Sequence, residues 1–260
     1  GDTLTEDLDL SYRAQLKGWR FAYLPDVVVP AEIPAQISAF KRQQARWAQG
    51  SIQTALKMLR PLLMSDASLS VKLEGIIHLT NYLVHPLMLL VVLLTLPMSF
   101  SRGWILRTTP WLMLAAVGPP LMYTVSQIAD GRVALTRLRY LPVLVMLGMG
   151  LAMTNTVAVL KALLGVRQKF LRTPKFALRH SEDMWQGSLY ALRKDWLRWG
   201  ELALMVYSLV LIALPVVNNT FAPWLLVYAG GFGFVSSVSF LQSYQIHRWR
   251  ATHSRPEAST

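Results

Sequence analysis

Two groups of side chains have the types and spacing to do chemistry. Near the start of the 260-residue sequence, Thr5-Glu6-Asp7 sets two carboxylates side by side where a helix is predicted to begin. Further along, Gln43, Arg46, Trp47 and Gly50 fall at i, i+3, i+4 and i+7. That spacing puts an amide, a planar cation, a large aromatic ring and a residue without a side chain on one helix face. Each group admits two readings. The first is a cap: Thr3 or Thr5 accepts orphan N–H groups, Glu6 stands three residues after Thr3 as in a capping box, and the helix dipole favours both acids. The same carboxylates are also candidates for chemistry. In the second group, Trp47 can anchor in a core, Arg46 can reach toward lipid headgroups and Gly50 can permit a close helix crossing. Alternatively, the guanidinium binds phosphate oxygens, the amide orients hydroxyls or phosphate, and the ring stacks on a sugar.

The elements that must position these groups are short. Leu8, Tyr12 and Leu16 repeat at four-residue spacing, and Lys17-Gly18 supplies a stop, so a helix is predicted over the first group. A short strand, Phe21 to Leu24, is predicted next, before Pro25 and the proline-bounded connector "PDVVVPAEIP". The run "AFKRQQARWAQGSIQTALKMLR" then reads as a long helix. Residues 1–60 are the only substantial stretch that resembles a soluble domain, and sixty residues barely bury a core.

Composition points to a membrane. Hydrophobic residues make up 53% of the chain and lie in long runs. The formal charge of +12 comes from basic residues that flank those runs, which fits a membrane surface and excludes a nucleic-acid partner. With no cysteine, disulfides, thiolate metal sites and cysteine nucleophiles are excluded, and the five histidines show no close zinc-ligand pair. His78 and His85 read as membrane-boundary and packing residues. The N-terminus carries no signal-peptide pattern and starts abruptly before a helix cap, as in a chain cut from something longer.

Four runs are expected to cross the bilayer: about 76–100, 104–128 (with Trp104 and Trp111 at its start and Pro119-Pro120 inside), 202–217 and 221–240. The last two are separated by "PVVNNTFAP", which holds a sequon at Asn218. Basic residues at 132–139, 161–198 and 248–255 belong on the cytoplasmic side. The run 140–164, flanked by basic loops on both sides, is therefore expected to be interfacial or re-entrant. Five full spans with an external basic loop are the alternative. Tyr82, Trp104, Tyr123, Asn155, Trp224 and Tyr228 are candidates for lining a channel.

The acidic triplet followed by Gln-x-x-Arg-Trp, both ahead of membrane spans, resembles the family 2 glycosyltransferases, specifically the membrane-embedded, cellulose-synthase-like and glucomannan-synthase-like branch. "KFLRTPKF" is similar to that branch's gating-loop motif, Phe-x-Val-Thr-x-Lys: Phe170, Thr173 and Lys175 match, while Arg172 replaces Val. The resemblance implies an α-helical membrane region after the C-terminal end of a GT-A (α/β) catalytic domain, with four transmembrane helices plus interfacial helices. The implied organisation is the end of the catalytic domain with its acceptor helix (1–60), an interfacial linker (61–75), two spans (76–128), a cytosolic and interfacial region with the gating-like loop 169–176 (129–198), a transmembrane hairpin (199–241) and a basic tail (242–260). The N-terminal, donor-binding half is missing from this sequence.

By the same resemblance, Asp7 is the general base, Glu6 holds the helix start or a neighbouring group, and Gln43, Arg46 and Trp47 contact acceptor and diphosphate. Phe170, Thr173 and Lys175 close over the nucleotide. Mg²⁺ or Mn²⁺ is implied, with its ligands upstream and no metal ligand in this chain. The implied activity is inverting transfer of a hexose from a nucleotide-sugar donor to a growing β-linked mannan or glucan, coupled to translocation across the inner membrane, with catalysis on the cytoplasmic side and membrane lipids as surroundings. Glycosylation of a ceramide- or diacylglycerol-type lipid acceptor and a non-enzymatic membrane fragment are the competing classes.

Overall fold

The structure is a computed structural model that describes residues 2–24, 27–100, 117–129, 135–167, 170–178, 183–186, 188, 191–192, 195–214 and 224–253. Trp104, Trp111, the sequon turn at 218, the basic positions 132, 179, 193 and 194, Lys169 and the tail beyond 253 lie outside the described residues. The longer described helices are α1 (Glu6–Leu16), α2 (Ile37–Leu63), α3 (Leu69–Thr80), α4 (Val84–Phe100), α5 (Gly118–Ala129), α6 (Leu141–Gly150), α7 (Ala152–Leu163), α8 (Leu197–Ala213) and α9 (Trp224–His253); a 3-10 turn, Asn81–Leu83, joins α3 to α4 as one continuous helical run, and Leu135–Leu138 is a single helical turn. The contacts divide the chain into two compact units.

The first unit comprises Gly1–Pro86, Thr154–Asp195 and Ser239–Thr260, and α2 is its centre. Ala48 and Ile52 pack with Ala158, Val159 and Ala162 of α7. A turn or two later, Ala55, Met58 and Leu62 pack with Leu79 of α3, flanked by Leu8, Tyr12 and Leu16 of α1. These positions repeat with helical periodicity, so one face of α2 gathers three neighbours. Full burial of Ile52 or Leu79 contributes about 1.5–3 kcal/mol each. The start of α2 is pinned by side chains from far along the chain. The Gln36 amide exchanges two hydrogen bonds with the Leu192 backbone (2.6 and 2.8 Å), Gln242 accepts the Ile37 N–H at 2.8 Å, and Lys41 pairs with Asp195 at 2.8 Å in a nearly dry setting.

α1 ends as its sequence predicts, with Gly18 in the left-handed region at φ 88°. The predicted strand does not form. Phe21, Tyr23 and Leu24 are exposed and unladdered, and there is no strand among the described residues, because extended chain needs an adjacent edge to pair with.

In the second unit, Leu87–Met153 with Trp196–Val238, Val92, Ala152, Tyr228 and Phe232 form the core. α6 and α9 cross closely at Gly150 and Gly231. A Cβ on Gly231 would come 2.6 Å from Met149 Cβ and 2.8 Å from the Met146 carbonyl, so only glycine fits.

The expectation of four transmembrane helices is corrected here. The described residues contain two helices long and apolar enough to cross a membrane, Leu69–Met98 and Trp224–His253, or up to three if Thr136–Gly150 and Ala152–Leu163, bent by 43°, count as one broken span. The described part of the 104–128 run is the 12-residue α5, which starts at Gly118 with Pro119 and Pro120 in its first turn. There the fixed proline φ and missing N–H are tolerated. α8 has 17 residues, about 25 Å of helix against a hydrocarbon core of about 30 Å. The chain has the helical, apolar character of a multi-pass membrane protein.

Candidate active site

The start of α1 is fastened to α2. Thr5 occupies the N-cap position, yet its side chain makes no capping hydrogen bond, and the capping-box expectation fails. Its hydroxyl faces inward, 3.4 Å from the Thr54 hydroxyl, and the residue is 8% exposed. Gly50 makes this possible: a Cβ there would come 2.6 Å from Thr5 Cγ2 and Oγ1 and 2.8 Å from the Thr5 nitrogen. The Leu4 N–H donates to Gln53 Oε1 at 3.0 Å. Lys57 donates to Asp9 at 3.0 Å and Asp2 at 3.4 Å, while Arg13 approaches Asp9 at 3.3 Å. The hydrogen bond with Asp9 raises the Lys57 pKa above its usual value.

This docking leaves the adjacent acids outward. Glu6 and Asp7 are exposed, and Asp7 Oδ1 accepts the Leu8 N–H at 2.8 Å, leaving carboxylate surface free on the helix start. Gly50 is also the residue at i+7 of the Gln43, Arg46, Trp47 face. The two groups of the sequence are therefore joined through the Thr5 to Gly50 contact.

The third group meets the same helix. The Arg46 guanidinium sits 4.7 Å from the centroid of the Phe170 ring and donates to the Leu171 carbonyl at 3.3 Å. Just before the loop, the buried Gln49 amide donates to the Val166 carbonyl at 2.9 Å. Trp47 is 40% exposed and Gln43 half-buried, both accessible to a ligand. Lys175 is exposed, and the Thr173 hydroxyl is buried without a hydrogen-bond partner. At the loop's far end, Glu32 accepts the backbone N–H groups of Phe176 and Ala177, the latter at 3.2 Å.

Several predicted residues do not join this assembly. A cavity of about 450 Å³ between α1 and α3 is lined by Leu8, Tyr12, Leu16, Gly75 and His78 and by none of the predicted site residues. His78 there takes a 2.9 Å hydrogen bond with the Tyr12 hydroxyl. Asn155 is 1% exposed and pairs with His85 at 2.9 Å, and Trp224 packs edge-on against Tyr228. Among the described residues there is no group of three or more His, Asp or Glu side chains that could hold a metal ion.

Residues 1–244 match the family model described as glycosyl transferase family group 2. The chain belongs to that family. Among members it is similar to Glucomannan 4-beta-mannosyltransferase 1 of Oryza sativa subsp. japonica, 51% identical over 57 residues, 22% of this chain and 11% of that protein. It is 46% identical over 57 residues, 22% of this chain and 11% of that one, to Glucomannan 4-beta-mannosyltransferase 2 of Arabidopsis thaliana. To Glucomannan 4-beta-mannosyltransferase 7 of Arabidopsis thaliana it is 39% identical over 64 residues, 25% of this chain and 12% of that one. The chain thus spans little more than a tenth of the length of these relatives. No solved structure matches it.

Three residues of this family 2 chain's assembly escape a sequence reading. Thr5 has the type and position of a cap, so its turn toward Thr54 is invisible without the long-range contact. Gln49 left one trace, a polar residue beside Ala48 and Ile52 on the buried stripe. Glu32 left none, because its partners are backbone groups 144 and 145 residues away.

Proposed function

We propose that this chain carries the acceptor side of an inverting hexosyltransferase that extends a β-linked polysaccharide from a nucleotide-sugar donor. The relatives' names direct the proposal toward mannosyl transfer onto a glucomannan. The observation that supports it most is the convergence of three sequence motifs on α2, through Thr5 against Gly50 and Phe170 against Arg46.

In this reading Asp7 takes the proton from an acceptor hydroxyl as that oxygen attacks the anomeric carbon. The carbon–oxygen bond to the nucleoside diphosphate breaks on the opposite face, and the diphosphate leaves with the bonding pair. A single displacement needs no enzyme nucleophile. Arg46, held against the Phe170 ring, offsets charge growing on the departing phosphate, and Lys175 adds a second cation from the loop. Trp47 offers its exposed ring to the terminal sugar of the acceptor, and Gln43 orients hydroxyls beside it. Glu6 stays at the helix start. The donor-binding half and the Mg²⁺ or Mn²⁺ ligands are assigned to residues outside this chain.

The proposed location is the inner membrane with the site on the cytoplasmic side. Lys161, Arg167, Arg172 and Lys175 lie in and just before the loop in the sequence, and this basic run supports a cytoplasmic placement by the positive-inside rule. The experiment is to compare Asp7→Asn with wild type in the intact enzyme, in which this chain works with its donor-binding half, by following radiolabelled hexose into product. A product found only in lipid would remove the polysaccharide acceptor from this reading.

A further inference from the structure

The loop that carries Thr173 and Lys175 is tied down at both ends, once by α2 and once by the connector that leads into it. At its start, Arg46 of α2 covers the Phe170 ring and binds the Leu171 carbonyl. At its end, the Glu32 carboxylate accepts two consecutive backbone N–H groups, with Oε1 taking Phe176 and Ala177, and Oε2 lying 3.3 Å from the Ala177 nitrogen. Glu32 belongs to the connector that runs directly into α2. It stands between Pro30 and Pro34, whose rings restrict the connector backbone. Two residues before Ile37, and at Ile37 itself, the Gln242 amide grips that connector, and Gln36 adds its paired bonds to Leu192. The carboxylate therefore hangs from a backbone that is fixed relative to α2.

The loop pays in conformation to meet it. Ala177 has φ 53°, the left-handed region in which a residue with a Cβ is strained, and it is the non-glycine among the described residues found there. Consecutive N–H groups that converge on one anion through such a turn form an anion-binding concavity, and Glu32 fills it. Phe176 adds a ring contact with Trp185, 6.2 Å between centroids. Between the two ties lie Arg172, Thr173, Pro174 and Lys175, with the Thr173 hydroxyl buried and unpartnered and the Lys175 ammonium exposed. A four-residue span tied on both sides, by Arg46 of α2 and by Glu32 of the connector before it, has a restricted backbone, and the exposed Lys175 side chain springs from that restricted backbone.

We propose that Glu32 is a positioning residue: by accepting the Phe176 and Ala177 N–H groups it holds the loop so that Lys175 and Arg46 face one diphosphate together. This rests on the reading of that loop as the one that meets the donor. Glu32 touches neither sugar nor phosphate. Its contribution is the reduced conformational search of the loop, which appears in donor binding and leaves the proton transfer at Asp7 alone.

The test uses the intact enzyme and three variants, Glu32→Ala, Glu32→Gln and Lys175→Ala, with two readouts. Amide hydrogen exchange of peptides within 170–178, measured without substrate, reports the tie itself. Donor KM and kcat report its use. In Glu32→Ala, exchange at Phe176 and Ala177 rises about tenfold or more, and donor KM rises about fivefold to tenfold with kcat within about twofold. Glu32→Gln keeps an acceptor oxygen and restores both toward wild type. Exchange unchanged in Glu32→Ala overturns the proposal, as does a Gln variant as defective as Ala, since the charge and not the backbone bonds would then matter. If Lys175→Ala raises donor KM while Glu32→Ala loosens the loop without changing it, Glu32 has no positioning role. If neither changes donor KM, the reading of the loop as donor-facing is what fails.

Discussion

Thr5 and Gly50 are in such close contact that even a methyl group at position 50 would collide with the Thr5 side chain and backbone nitrogen at 2.6 to 2.8 Å. That contact fixes where α1 begins on α2, and so where Asp7 stands relative to Arg46 and Trp47.

Gly50→Ala should therefore cost about 1–3 kcal/mol of stability through overpacking. It should also lower turnover by about 10²-fold by moving the carboxylate. Adding Thr5→Ala should restore only part of the loss, because the backbone nitrogen remains in the way. Thermal unfolding and sugar transfer on the single and double variants check both statements, and complete rescue would confine the constraint to the Thr5 side chain.

Arg46 and Trp47 are neighbours on α2 with different proposed partners. Arg46→Ala should impair donor hydrolysis and glycan elongation alike, since both need the diphosphate to leave. Trp47→Ala should weaken elongation while sparing hydrolysis, because only elongation uses the acceptor sugar, and stacking contributes about 1 kcal/mol or more. Equal defects of both variants in both reactions would mean that the helix face is structural.

How legible these positions were in the sequence depended on the range of the interactions behind them. α1 follows from the spacing of Leu8, Tyr12 and Leu16 and the body of α2 from a run rich in Ala, Gln, Lys and Arg, and Gly18 marks a stop, since a helix satisfies its backbone locally. The strand at Phe21 to Leu24 fails because a ladder needs a partner edge that spacing does not reveal. The four-span reading fails for a related reason. Hydropathy sees apolar length, whereas it does not see that α5 begins at Gly118 with two prolines in its first turn or that the helical run bends by 43° between Gly150 and Ala152. In the site, residue types and helix face were readable for Gln43, Arg46 and Trp47. Thr5 was mistaken for a cap, and Glu32 went unseen, because both act across the fold.

The Lys57 to Asp9 pair gives a pH dependence with a definite sign. The folded-state pKa of Lys57 lies above its ordinary 10.5, chiefly through the hydrogen bond with Asp9. Its contribution is full below the unfolded value and lost as pH rises through the folded one. The difference in melting temperature between wild type and Lys57→Met should be constant from about pH 6 to 9 and shrink only above about pH 10.5. A difference that vanishes near neutral pH would contradict the pairing.

In the second unit, Gly231→Ala should destabilise by about 1–3 kcal/mol, because its methyl would enter the Met149 and Met146 backbone region. Donor KM in the folded fraction should not change. Chemical denaturation in detergent, paired with donor titration, measures both, and an unaltered midpoint would remove the close crossing.

The central claim is that Asp7 is the base for transfer onto the acceptor. Initial rates of radiolabelled hexose incorporation by Asp7→Asn in the intact enzyme, with donor affinity measured in parallel, test it most directly. The account predicts turnover lower by about 10²- to 10⁴-fold with donor affinity nearly intact, the usual range for removing a positioned general base. Transfer at the wild-type rate by the Asn variant would contradict it.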